Sequence, residues 1–148
     1  MVDLDTAKKV TEQTLLQAQN LLRKNKFLEP IFLALTEENV DQDWAQMEVG
    51  TFEGFKALIE KHLDTSEAMV MIFQSIARDL NKIIPPTVDI TEDKENYKCL
   101  VCVVHTKETT LVLQSVYAEE NGDYVFIDTW EPILKGSGSI FDNPYLEK

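Results

Sequence analysis

At 148 residues, with 44% hydrophobic and 27% charged residues, the chain has the size and composition of one globular domain and not of a disordered segment. Its net charge of −12, from 14 basic residues scattered among 26 acidic ones, opposes phosphate neutralisation, so neither nucleic acid nor an anionic membrane is expected as a partner. Two cysteines make no disulfide framework, the start "MVDLDTAKKV" lacks a signal-peptide pattern, and the longest apolar run, Ala68–Phe73, falls far short of the roughly 20 residues of a membrane span, so a cytoplasmic protein is expected.

The first element reads as an amphipathic helix over Thr6–Lys24, with Ala7, Val10, Thr14, Ala18 and Leu21 at helical spacing and Leu15 and Leu22 widening the stripe. Asp3 or Asp5 is placed to cap its start, and Arg23, Lys24 and Lys26 favour the negative end of its dipole. Pro30 bars continuation, and Ile31–Leu35 reads as a strand apolar on both faces. After an acidic loop, Trp44–Val49 alternates as the return strand of a hairpin. Gly50 breaks it, and Thr51 can cap a second helix whose Phe52, Phe55, Leu58, Ile59 and Leu63 gather on one side.

The run from Ala68 has two readings. Met69, Ile72, Ile76, Leu80 and Ile83 keep helical spacing up to Pro85-Pro86, while six consecutive apolar residues describe a fully buried strand. The strand is the reading taken, with "PPTVDITEDKENY" as a polar connection. Three β-rich runs follow, "KCLVCVVHT", "TTLVLQSVYAE" and "DYVFIDTW", joined by Lys107-Glu108 and Asn121-Gly122. Asn-Gly is the strongest two-residue hairpin signal, because a type I′ turn needs positive φ at both positions. The fold class is therefore α+β: one two-layer domain over 1–135, with a largely antiparallel sheet and two helices mainly on one face. Its order is written helix–strand–strand–helix–strand–strand–strand. Residues 136–148 form a Gly/Ser-tethered tail, whose "SIFDNPYL" has the composition of an arm that docks on its own sheet or a neighbour's.

"CLVCVVH" carries zinc's preferred side chains, but parity on a strand opposes them. Cys99 and His105 share one face about 20 Å apart and Cys102 points to the other, whereas zinc needs ligands about 2.0–2.3 Å from one point. Buried thiols acting as small hydrophobes are the expectation, with no metal and no cofactor. The acids Glu37, Glu38, Asp41 and Asp43 read as a solvated loop, since the glycine and closing glutamate of a calcium loop are missing. No nucleophile, phosphate-loop or dinucleotide motif occurs, and no catalytic residue is assigned.

Pairing the last two runs about Asn121-Gly122 sets Tyr124 opposite Glu119, Phe126 opposite Tyr117, Asp128 opposite Ser115 and Trp130 opposite Leu113. Leu113, Tyr117, Tyr124, Phe126, Asp128 and Trp130 then make an aromatic face, either a second core layer or an interaction or ligand face. The helices are expected on the opposite, aliphatic face, leaving the aromatic one to the tail, a second copy or a ligand. Asp128, within an apolar strand, reads as a hydrogen-bonded structural carboxylate. The functional expectation is an acidic, non-enzymatic interaction or regulatory module that self-associates as a homodimer, with another protein as a further partner. The alternative is a small-ligand binder or hydrolase with a pocket at the aromatic face and Asp128 or His105 as its polar group.

Overall fold

Six consecutive apolar residues need burial on both faces, and Ala68–Phe73 obtain it at the centre of a sheet, each fully shielded from solvent. The computed structural model describes residues 2–37, 47–49, 54–77, 83–84, 97–130 and 142–146, with the backbone alone for 47–49, 76–77, 83–84, 97, 120 and 127–130. In chain order these form α1 (Leu4–Asn25), β1 (Ile31–Leu35), β2 (Met47–Val49), α2 (Phe55–His62), β3 (Ala68–Ala77), β4 (Ile83–Ile84), β5 (Tyr97–Thr106), β6 (Thr110–Glu120) and β7 (Asp123–Trp130). The seven strands run β2-β1-β3-β5-β6-β7, with the two-residue β4 also pairing β3. Every pairing is antiparallel. The class is α+β, as the patterning indicates. The order differs from the written one by β4 and by a fourth long strand after α2.

β3 settles its ambiguity as a strand because β1 pairs one edge and all ten of its residues pair β5 on the other. A helix there would leave β1 and β5 without the neighbour between them. The hairpin turns also follow the residues. Asn121 and Gly122 take φ of 53° and 80°, the left-handed pair of a type I′ turn. At the other turn, Thr106 N donates to Thr109 O at 2.9 Å across Lys107-Glu108.

α1 begins two residues earlier than expected, at Leu4, where the Asp3 carboxylate accepts from Thr6 N at 2.8 Å; Asp3, not Asp5, is the cap. That bond holds the Asp3 carboxyl below its usual range. Its buried face is built of small residues and leucines: Ala7, Thr11, Thr14, Leu15, Ala18 and Leu22. The two threonine hydroxyls donate back to Ala7 O and Val10 O at 2.7 and 2.8 Å, so a helix with little side-chain bulk sits close on the sheet without orphaned donors. α2 begins at Phe55 behind Gly54, which makes no side-chain cap; the expected cap Thr51 lies outside the described residues, as do Phe52, residues 44–46 of the return strand and the 85–96 connection.

Most of the helical length lies on one face, but the helices divide. α1 covers Ile31, Leu33, Val70, Ile72, Leu100, Cys102, Leu113 and Tyr117. α2 lies on the opposite face, where Phe55, Leu58, Ile59 and Leu63 pack with Phe32, Met69, Met71, Phe73, Cys99 and Val101. Alternation along β3 requires this, because its odd and even residues are equally apolar and each set needs its own cover. No helix among the described residues is long and apolar enough to cross a membrane.

Gly122→Ala is expected to cost about 1 kcal/mol, because a Cβ at that φ is strained even though it would meet no atom within 4 Å. Urea denaturation checks it, and unchanged stability would contradict the type I′ assignment.

Candidate functional site

The two thiols behave as parity requires. Cys99 packs in the α2-side core and Cys102 in the α1-side core, so they cannot converge on one ion. Both are free and fully buried. Burial pushes the Cys99 thiol up to about 12 and the Cys102 thiol higher still, which leaves almost no thiolate at neutral pH and no cysteine nucleophile. His105 is buried near the end of β5, with Nδ1 2.8 Å from Thr110 Oγ1 on the paired strand.

The aromatic face forms, but beneath α1. The Tyr117 ring centre lies 5.1 Å from that of Tyr124 and 5.4 Å from that of Phe126. Leu113 and Tyr124 are buried, Phe126 is half-buried, and Tyr117 keeps only 3% of its surface exposed. α1 covers this face, where the tail, a second copy or a ligand was the expected cover, and α2 takes the other. The phenol groups need polar partners when covered, and Gln74 of β3 and the exit of α1 supply them. Gln74 Nε2 donates to Tyr117 Oη at 3.1 Å while its Oε1 accepts from Leu28 N at 2.8 Å. Tyr124 Oη donates to Lys26 O at 3.4 Å, and Gln19 Nε2 donates to Ser115 Oγ at 2.8 Å. Arg23 places its guanidinium 5.0 Å from the Phe126 ring centre and donates from Nε to Tyr124 O at 3.3 Å. Lys26 Nζ lies 5.3 Å over the Tyr124 ring and donates to Gly122 O at 2.7 Å.

The pairing expected about Asn121-Gly122 holds from Asp123 to Phe126 and then slips. Between Val116 and Tyr117 a bulge inserts one residue into β7, so Asp128 pairs Val116 and Trp130 pairs Gln114, not Ser115 and Leu113. The structure therefore brings together Leu113, Tyr117, Tyr124 and Phe126, and moves Asp128 and Trp130 one position along β6; their side chains lie outside the described residues. No glycine marks the bulge, so nothing in the residue pattern announced it.

Four further features are candidates for function. β7 is the last strand of the sheet, eight residues long, and among the described residues no strand lies beyond it. Arg23 marks the side of α1 that faces β7, and Leu16, two turns earlier on the same stripe, is 62% exposed. Gln114, fully buried on the α2 side opposite Val101, has neither its side-chain nitrogen nor its oxygen hydrogen-bonded. Residues 142–146 dock back on the domain, with the Tyr145 ring against the α2-side core. Docking of the tail was expected from the sequence, but its polar contacts escaped because Ser66, Thr106 and Thr109 are distant along the chain. No protein-family model, no curated protein and no solved structure matches the chain.

Burial, opposed by the Gln74 bond, pushes the Tyr117 hydroxyl up to about 12 from 10. The folded state thus favours the neutral phenol, so its stabilisation is complete below pH 10 and lost as pH rises towards 12. Relative to Tyr117→Phe, the native chain is expected to lose roughly 2–3 kcal/mol across that window. Denaturation at stepped pH reads it, and a pH-independent difference would contradict it. Gln114→Met is expected to raise stability by about 1–2 kcal/mol by removing an orphaned amide. A loss of stability in the same assay would show that the amide has a partner in solution.

Proposed function

We propose that the protein is a non-enzymatic, cytoplasmic interaction module that self-associates through the outer edge of β7, beyond which no strand lies among the described residues. The observation that carries this reading is the eight-residue β7 at the end of the sheet, whose outward backbone groups offer a ready partner to another strand. A second copy meets it naturally, since two β7 strands related by a two-fold axis pair antiparallel and continue the sheet. In that arrangement the α1 helices lie on the same face of the joined sheet, and Leu16, the most exposed large apolar side chain among the described residues, gains an apolar surrounding. Val125, on β7 itself and 39% exposed, is covered in the same step. The strongly raised cysteine thiols and the packed aromatic face favour binding over chemistry, because neither presents a reacting group to solvent.

A second reading, a small-ligand binder, is favoured by the unpartnered amide of Gln114, a buried donor–acceptor pair that a ligand could satisfy. It places the polar anchor on the α2 side and not at the aromatic face.

Native mass spectrometry separates the two: a dimer of unmodified mass supports the edge reading, and an adduct removed by denaturation supports the ligand reading. The double variant Leu16→Glu, Val125→Glu is expected to weaken dimerisation at least tenfold in sedimentation while its circular dichroism is unchanged. Equal dimerisation by this folded variant would refute the β7 interface.

A further inference from the structure

The tail is held by a pattern of bonds that reads one short segment, Asn143-Pro144-Tyr145. Asn143 Nδ2 donates to both Thr106 O at 2.8 Å and Thr109 O at 2.9 Å, bridging the two carbonyls of the β5–β6 turn. Its Oδ1 accepts from Tyr145 N at 2.9 Å, so both ends of the amide are used. Ser66 Oγ donates its one proton to His62 O at 2.6 Å, which makes Tyr145 the donor in its 2.7 Å contact with Ser66 Oγ. Ser66 itself is 3% exposed and anchored between α2 and β3, and the Tyr145 ring rests on the α2-side core. Burial accordingly pushes the Tyr145 hydroxyl up to about 12.

Each contact selects chemistry. An aspartate at 143 has the shape of asparagine but would set a negative charge against two carbonyl oxygens. Phenylalanine at 145 would fill the apolar part and leave Ser66 Oγ without its donor. A proline between them restricts φ, which lowers the entropy lost on docking.

We propose that the corner formed by Ser66, Thr106 and Thr109 is a peptide-recognition site for an Asn-Pro-Tyr segment, occupied by the chain's own tail and open to the tail of a second copy. Residues 131–141, which include the Gly-Ser-Gly-Ser stretch, join β7 to this segment. Their contour of roughly 36–40 Å is long enough to reach a neighbouring molecule. Tail exchange uses residues other than those of the β7 edge.

The test uses the full chain carrying Asn143→Asp and a synthetic peptide of residues 139–148, titrated by calorimetry. The variant is expected to bind the peptide saturably. The native chain should bind it at least tenfold more weakly, since its own tail competes at an effective concentration on the order of millimolar. A peptide with the same Asn143→Asp change should not bind. Tyr145→Phe in the full chain provides a second opened form and should give the same ranking. Absence of binding by both folded variants, equal affinity for native and variant chains, or equal binding of the altered peptide would overturn the proposal.

Discussion

The structure depends on one requirement, that β3 be dry on both faces and paired along both edges. Its buried residues from Ala68 to Phe73 are apolar without alternation, so neither face can meet water. Two covers are therefore obligatory. α1 closes one side with a face of alanines, threonines and leucines, and α2 closes the other with Phe55, whose ring centre lies 6.3 Å from that of Phe32 and 6.0 Å from that of Phe73. The docked tail extends the second cover through Tyr145. Aromatic residues that look like a binding face in isolation are drawn into this closure, with their hydroxyls bonded to Gln74 and to the end of α1.

Much of this was legible where local chemistry decides. Asn121-Gly122 could form one kind of turn and did, and cysteine parity on β5 followed from strand geometry alone. What escaped was set by contacts distant in sequence. The β7 bulge moves Asp128 opposite Val116 with no glycine to signal it, and the choice of α1 for the aromatic face depends on Gln74 and Lys26, far from β6 and β7. The stripe of Ala7, Thr14 and Ala18 marked the buried side of α1, but by itself did not say which face of the sheet would receive it.

Closure of both faces bears on the proposed function. In the association proposed above, contact confined to edges and ends would leave the core intact, so binding and folding would be separable. The free strand at β7 carries an acidic turn, Glu119 to Asp123, partly balanced by Lys26, whose Nζ lies 3.5 Å from Asp123 Oδ1. Such charge keeps the edge from pairing indiscriminately, and the bulge does so as well by interrupting its regular ladder. In the proposed association, an edge guarded in these two ways would favour one specific partner over open-ended stacking.

The most direct measurement is hydrogen–deuterium exchange followed over a range of protein concentration. Amides of β7 are expected to become slower to exchange as concentration rises, while those of β3 and β5, already paired on both sides, stay unchanged. Association detected in the same samples without any added protection of β7 would contradict the account.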